Sequence, residues 1–312
     1  MVTRPALAAS LLLFCALAAN AAAPDRWVVD SIFNGDNDGQ HERSVLAGYV
    51  HPLPDQGSTA SLGFRTGYWL LDDPAHHSEF AAARLDYQRD LGSKTQLDLH
   101  MLQLASGDWS PTLGSADISY HATRLWSLEG SADYNFVDTA LAAQRHTLVN
   151  TYNLSTDFKL LDSVTLVGGV LQQYFSDGNH RTGGMARVVY APAWLEGFNA
   201  QLRVRRLDAE FTGIGYFSPA KLEETLAQLQ YGHALPGGKW VLTGVLGGGA
   251  QRVDGYATSA IYQAELRARG WFTERLGLEG KAGCTNTGGL QVQAASEGYR
   301  YCFGNLSLIA TW

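Results

Sequence analysis

Beyond residue 23 the chain has no apolar run approaching the roughly 20 residues that a helical membrane span requires, so spanning helices are excluded. Charge is scarce too: 17% of the 312 residues are Asp, Glu, Lys or Arg, the net charge is -7, and no basic cluster occurs. Nucleic-acid binding therefore has no electrostatic footprint. Nucleotide, haem and zinc motifs are missing, and so are a nucleophile elbow and any compact Ser/His/Asp spacing. The expectation is a protein with no cofactor, no metal and no catalytic residues, and not an enzyme. A repeat period near 34 residues, the mark of helical arrays, is absent as well.

What is present is material for strands. The chain carries 34 Gly, 14 Tyr and 8 Trp, which suits strands that must satisfy two environments at once. A soluble periplasmic β-sandwich shares that composition. Residues 1–21 read as a secretory signal peptide: Arg4 gives a positive start, an apolar run spans Leu11 to Ala19, and Ala19, Asn20 and Ala21 fit an A-x-A cleavage pattern. Phe14 stands where lipoprotein signals carry a small residue, so acylation at Cys15 is not expected. Residues 22–312 then form one unit.

From Arg26 to Trp312, segments of about 9 to 13 residues alternate with period 2 and are punctuated by turn signals such as Gly92-Ser93 and Pro236-Gly237-Gly238. About sixteen strands result, near 26–34, 43–52, 58–70, 78–90, 95–106, 114–123, 126–137, 144–158, 163–175, 182–191, 198–210, 222–234, 239–252, 258–270, 275–285 and 301–312. The final segment, Asn305 to Trp312, alternates apolar with small or polar residues and ends on an aromatic. It resembles the closing strand of a bacterial outer-membrane β-barrel, with Leu306, Leu308, Ala310 and Trp312 on the lipid face. If Trp312 is periplasmic, the connections on its side are all short, whereas Thr212 to Lys221 and Thr287 to Arg300 fall on the external side. A sandwich has no reason to sort its loops so. The fold expected is an all-β, transmembrane, antiparallel up-and-down barrel of about 16 strands in the outer membrane.

Alternation also assigns the lumen. Ala81, Ala83, Leu85 and Tyr87 share one parity, which turns Arg84, Asp86 and Gln88 inward. The same reading sends inward Asp98 and His100; Glu129, Asp133 and Asn135; Gln201, Arg203 and Arg205; and Gln263, Glu265, Arg267 and Arg269. Such a lining must be wet, because a charge at the lipid face near midplane costs about 2 to 4 kcal/mol. Ion pairs that stiffen the wall and a polar track for a hydrophilic substrate are both compatible with it. The mixed signs do not suggest strong ion selectivity.

Two loop motifs go further. Tyr174-Phe175-Ser176-Asp177-Gly178-Asn179-His180-Arg181 closes one external hairpin, and Gly215-Tyr216-Phe217-Ser218-Pro219 lies in another. Together with the strand count and the terminal aromatic, they resemble the barrel of exopolysaccharide export proteins, namely the outer-membrane cellulose synthase subunit and the poly-N-acetylglucosamine and Pel exporters. The resemblance implies a monomeric pore that conducts a polysaccharide outward. Tyr216, Phe217, Asp177, Asn179 and Arg181 would contact it near the external mouth, and Arg203, Arg205 and Arg267 along the lumen. Those proteins carry a periplasmic array of helical repeats that this chain lacks. Either a separate periplasmic scaffold works with an inner-membrane synthase, or the barrel serves another use. A general or solute-specific porin is the alternative, although no connection is obviously long enough to constrict one except Thr287 to Arg300. An outer-membrane enzyme built from residues distant in sequence is the runner-up from another class.

Cys284 and Cys302 share the lipid-facing parity of the last two strands near their external ends, and the compartment is oxidising. A disulfide there closes a loop of about 17 residues, for roughly 3 kcal/mol in the chain-entropy model. His76 and His77 beside Asp72 and Asp73 invite a metal reading, but adjacent residues on an extended segment point to opposite faces. They are expected to be solvated loop residues.

Overall fold

The computed structural model describes residues 24–55, 58–212, 215–286 and 300–312. The signal-peptide reading and the connection at 287–299 lie outside the described residues. Sixteen strands follow in order: β1 (Arg26–Asp36), β2 (His41–Asp55), β3 (Ser58–Asp72), β4 (His77–Asp90), β5 (Thr95–Ala105), β6 (Thr112–His121), β7 (Trp126–Phe136), β8 (Leu148–Leu161), β9 (Val164–Phe175), β10 (His180–Tyr190), β11 (Phe198–Ala209), β12 (Lys221–Ala234), β13 (Trp240–Val253), β14 (Ser259–Trp271), β15 (Leu276–Thr285) and β16 (Tyr301–Thr311). One short helix, α1 (Ala140–Gln144), interrupts them between β7 and β8.

Each strand pairs antiparallel with the next, and β16 returns to β1 in register from Arg26↔Thr311 to Asp36↔Tyr301. Closure removes every free edge and with it the sandwich alternative. Helices of the described residues are too short to cross a bilayer, so spanning falls to the strands. Most boundaries match the expected segments to within three residues. The strand expected from 144 starts instead at Leu148, because the residues before it fold as α1 and its exit.

One parity of each strand carries exposed large apolar side chains: Leu62 and Phe64 on β3, Leu99 and Met101 on β5, Leu202 and Val204 on β11, Leu306 and Leu308 on β16. A continuous belt of this kind is intolerable in water and fits the hydrocarbon of a membrane. At one rim Tyr49 packs its ring 5.6 Å from both Trp27 and Trp312, an interfacial aromatic girdle. Described connections at that rim span at most seven residues, at 191–197, whereas 137–147 and 210–220 at the opposite rim span eleven each. This is the asymmetry of a bacterial outer-membrane barrel with the Trp312 rim periplasmic.

At the external rim Cys284 and Cys302 face each other in register on the lipid-facing parity. They are joined by a disulfide with a Cα separation of 4.0 Å.

Candidate pore lumen and external mouth

The inward parity is polar, and its charges are sorted by arc. Strands β5 to β8 turn Asp98, Asp117, Glu129, Asp133 and Asp157 inward, against the cation Lys159, which pairs with Asp162 at the periplasmic end. Strands β10 to β12 turn in Arg181, Arg187, Arg203 and Arg205 against Glu224. The side chain of Glu224 is fully buried and receives Arg203 at 2.6 Å and Arg205 at 2.9 Å. Asp86 on β4 anchors another knot, binding Arg84 and His100 at 2.6 Å each and also Arg65, which reaches Asp30 on β1 at 3.1 Å. Arg267 is held by Glu265. The three lumen arginines expected to meet substrate are therefore each tied to a carboxylate of the wall.

The external mouth has a different chemistry. Leu46, Leu71, Phe80, Leu104 and Leu113 occupy the lumen parity near the external ends of β2 to β6, where bare exposure would put apolar surface in water. The 137–147 connection folds over them. Thr139 caps α1 by accepting the Ala142 N–H at 3.2 Å, and Ala140 and Ala143 pack into that cluster beside Phe136 and Trp109. Covering a Leu or Phe in this way is worth about 1.5 to 3 kcal/mol per side chain. The 210–220 connection does the same for Leu207 and Leu222, through Phe217.

The two loop motifs meet on top of these clusters. Asn179 donates to the Tyr216 hydroxyl at 3.1 Å and to Ser218 Oγ at 2.8 Å, and Tyr216 donates to Asp177 Oδ2 at 2.8 Å. Arg181 donates to the Phe217 carbonyl and, at 3.0 Å, to Gln173 Oε1. The Tyr216 ring stacks on Phe175 with centroids 4.7 Å apart. Gly178, at φ +90°, makes the turn that aims Asn179 inward, and Gly215, also at +90°, lies against Leu141 of α1. Thr139 Oγ1 donates to the Gly215 carbonyl, which ties α1 to the second loop.

No family model matches the chain, and no curated protein matches it. Among solved structures, the barrel superposes on one described as a bacterial polysaccharide outer membrane secretin, with a TM-score of 0.74 and 10% identity, covering 94% of this chain and 100% of that one. Pseudomonas aeruginosa OccK11 (OpdR) and OprD give TM-scores of 0.48 and 0.47 at 10% identity, over 92% and 93% of this chain and 95% and 94% of theirs. These likenesses are of fold alone.

The mouth corrects the expected sugar contacts. Tyr216 and Phe217 are 4% and 9% exposed, and Asn179 and Arg181 are 1% and 3% exposed. Their groups are consumed in holding the loop, so the two rings offer no open face for stacking in this arrangement; Asp177 alone of the five is exposed. What the motif reading missed is α1. Its signal was in the chain: Thr139, an N-cap type, precedes Ala140-Leu141-Ala142-Ala143-Gln144, a run of strong helix formers. His76 and His77 each take a separate aspartate, Asp73 at 2.8 Å and Asp72, so they do not converge.

The lock has a pH signature. Burial, and after it the Asp177 carboxylate, push the Tyr216 phenol well above the ordinary tyrosine range. A folded-state value raised above the unfolded one means that the stabilisation is fully present below about pH 10, the unfolded tyrosine value. It is lost as pH climbs through the higher folded value. Tyrosinate absorbance of wild type and Tyr216→Phe is therefore expected to coincide while ordinary tyrosines titrate, and to diverge only at higher pH. A missing ionisation already at the ordinary value would show that Tyr216 is not locked.

Proposed function

We propose that this barrel is an outer-membrane pore that exports a hydrophilic exopolysaccharide, a cellulose-like or related glycan. The observation that carries the reading is the lining: amide, hydroxyl or charged side chains turn inward in turn along the wall, from Arg65 on β3 through Asp98, Asp117, Glu129, Asn153, Arg187, Gln201 and Gln228 to Gln263 on β14. Sugar hydroxyls exchange water for such groups at small net cost, so a polymer is held at many points and trapped at none. The fold shared with a polysaccharide secretin supports the same reading. Arg203, Arg205, Arg267 and the exposed Asp177 are the proposed glycan contacts. Export then requires the loops at 137–147 and 210–220 to swing aside, with a separate periplasmic scaffold and an inner-membrane synthase delivering the chain.

A solute-selective porin is the second reading, favoured by α1, since an inward-folded loop is how such a pore is narrowed. Single-channel recording of the refolded protein separates the two. Reversible block is expected from one class among soluble cellulose, poly-N-acetylglucosamine and maltose-type oligosaccharides, weakened in Arg267→Gln/Asp177→Asn. Conductance indifferent to every glycan would sink the export reading.

A further inference from the structure

The outward parity should carry apolar residues, yet at the external ends of β11 to β13 it carries five charges. Arg206 and Asp208 on β11, Lys221 and Glu223 on β12, and Arg252 on β13 all face away from the lumen. Register places Arg206, Glu223 and Arg252 side by side on three adjacent strands, about 4.8 Å apart per strand. Arg206 grips Asp208 through two N–H groups at 2.8 and 2.9 Å, and Lys221 reaches Glu223 at 2.8 Å, which leaves Arg252 as the third cation over two carboxylates. Arg206 and Arg252 are exposed, and the side chains of Asp208, Lys221 and Glu223 are half-buried but reach solvent. Elsewhere at this rim the outward strand positions among the described residues hold the single cation Arg43.

The ground beside the charges is cut low. Thr182, Gly184 and Ala186 on β10 and Ala250 on β13 are small outward residues, and a surface trough runs across them and across Arg206, Asp208, Glu223 and Arg252; Lys221 stands beside it, held by Glu223. Immediately toward the membrane, Val188, Leu202, Val204, Leu229 and Leu246 are exposed apolar side chains. Tyr174 on β9 and Tyr262 on β14 flank the patch as exposed outward aromatics, which puts it at headgroup depth, where a lipid-facing charge costs only about 0 to 1 kcal/mol.

We propose that this face is a binding site for the phosphorylated diglucosamine headgroup of the external-leaflet glycolipid, the lipid A class, with its phosphates on Arg206, Lys221 and Arg252 and its acyl chains along Leu202, Val204 and Leu229. Arg forks and a Lys ammonium are the donors that match phosphate oxygens. Asp208 and Glu223 preset those cations and leave a net charge of 3 − 2 = +1 for the anion. The trough admits a flat headgroup that bulkier side chains would exclude. The inference rests on the barrel standing in the outer membrane with its Trp312 rim periplasmic, and is independent of what passes through the lumen.

Native mass spectrometry of the full-length barrel in detergent tests it, with bisphosphorylated lipid A, dephosphorylated lipid A and phosphatidylglycerol as probes. Wild type is expected to retain bisphosphorylated lipid A about tenfold or more over the dephosphorylated form, the worth of one charge-assisted hydrogen bond. The triple variant Arg206→Gln/Lys221→Gln/Arg252→Gln is expected to lose that preference, while Arg43→Gln keeps it. Equal retention of the two lipid A forms, or an undiminished preference in the triple variant, would overturn the site. Preference for phosphatidylglycerol over bisphosphorylated lipid A would also overturn it, since the face would then favour a glycerophospholipid headgroup over the diglucosamine. Should the triple variant not fold, the lipid series on wild type still decides.

Discussion

Glu224→Ala is expected to destabilise the barrel by about 3 to 5 kcal/mol, the cost of breaking a buried ion pair from one side. The carboxylate is fully buried, and both of its partners, Arg203 and Arg205, are less than one fifth exposed. Removing it leaves two guanidinium groups packed in one wall with repulsion and no acceptor. The check is guanidinium unfolding of the refolded protein in micelles. Adding Arg203→Leu and Arg205→Met to Glu224→Ala is expected to recover much of the loss, because replacing a buried ionic cluster with apolar residues is often neutral. A single-variant midpoint equal to that of wild type would mean that water reaches the cluster and screens it.

Replacing residues 138–146 with a short Gly-Ser linker is expected to raise single-channel conductance several-fold. Helix α1 is what covers the apolar patch at the external ends of β2 to β6, and through Thr139 and Leu141 it also braces the loop that carries Tyr216 and Phe217. With it gone, both obstructions to the mouth are released together. Tyr216→Ala tests the second loop alone and is expected to raise conductance by less, since α1 keeps its own cluster. Unchanged conductance in the linker variant would show that the loops do not limit flow.

The wall of the barrel was readable because parity is a local property. Whether Arg84 or Leu85 faces lipid is settled by its neighbours at i±2, and the outward exposure of Leu85, Leu202 and Leu306 follows that alternation. The mouth was not readable in the same way. Whether the rings of Tyr216 and Phe217 are open or covered depends on Phe175, Leu207 and Leu222, which come from three other strands. The need for a cover was nevertheless written in the chain: Leu71, Phe80, Leu104 and Leu113 break the polar lumen pattern near the external strand ends, and an apolar residue on a wet face calls for something to lie on it. Charge was read in sum as mixed, whereas the barrel's circular order sorts it by position around the wall.

With carboxylates on β5 to β8 and arginines on β10 to β12, the electrical potential falls sideways across the water column as well as along it. Low-dielectric walls focus such a gradient. Small cations are then expected to keep to one lane and small anions to another, with weak net charge preference, and a dipolar passenger to advance with a fixed heading.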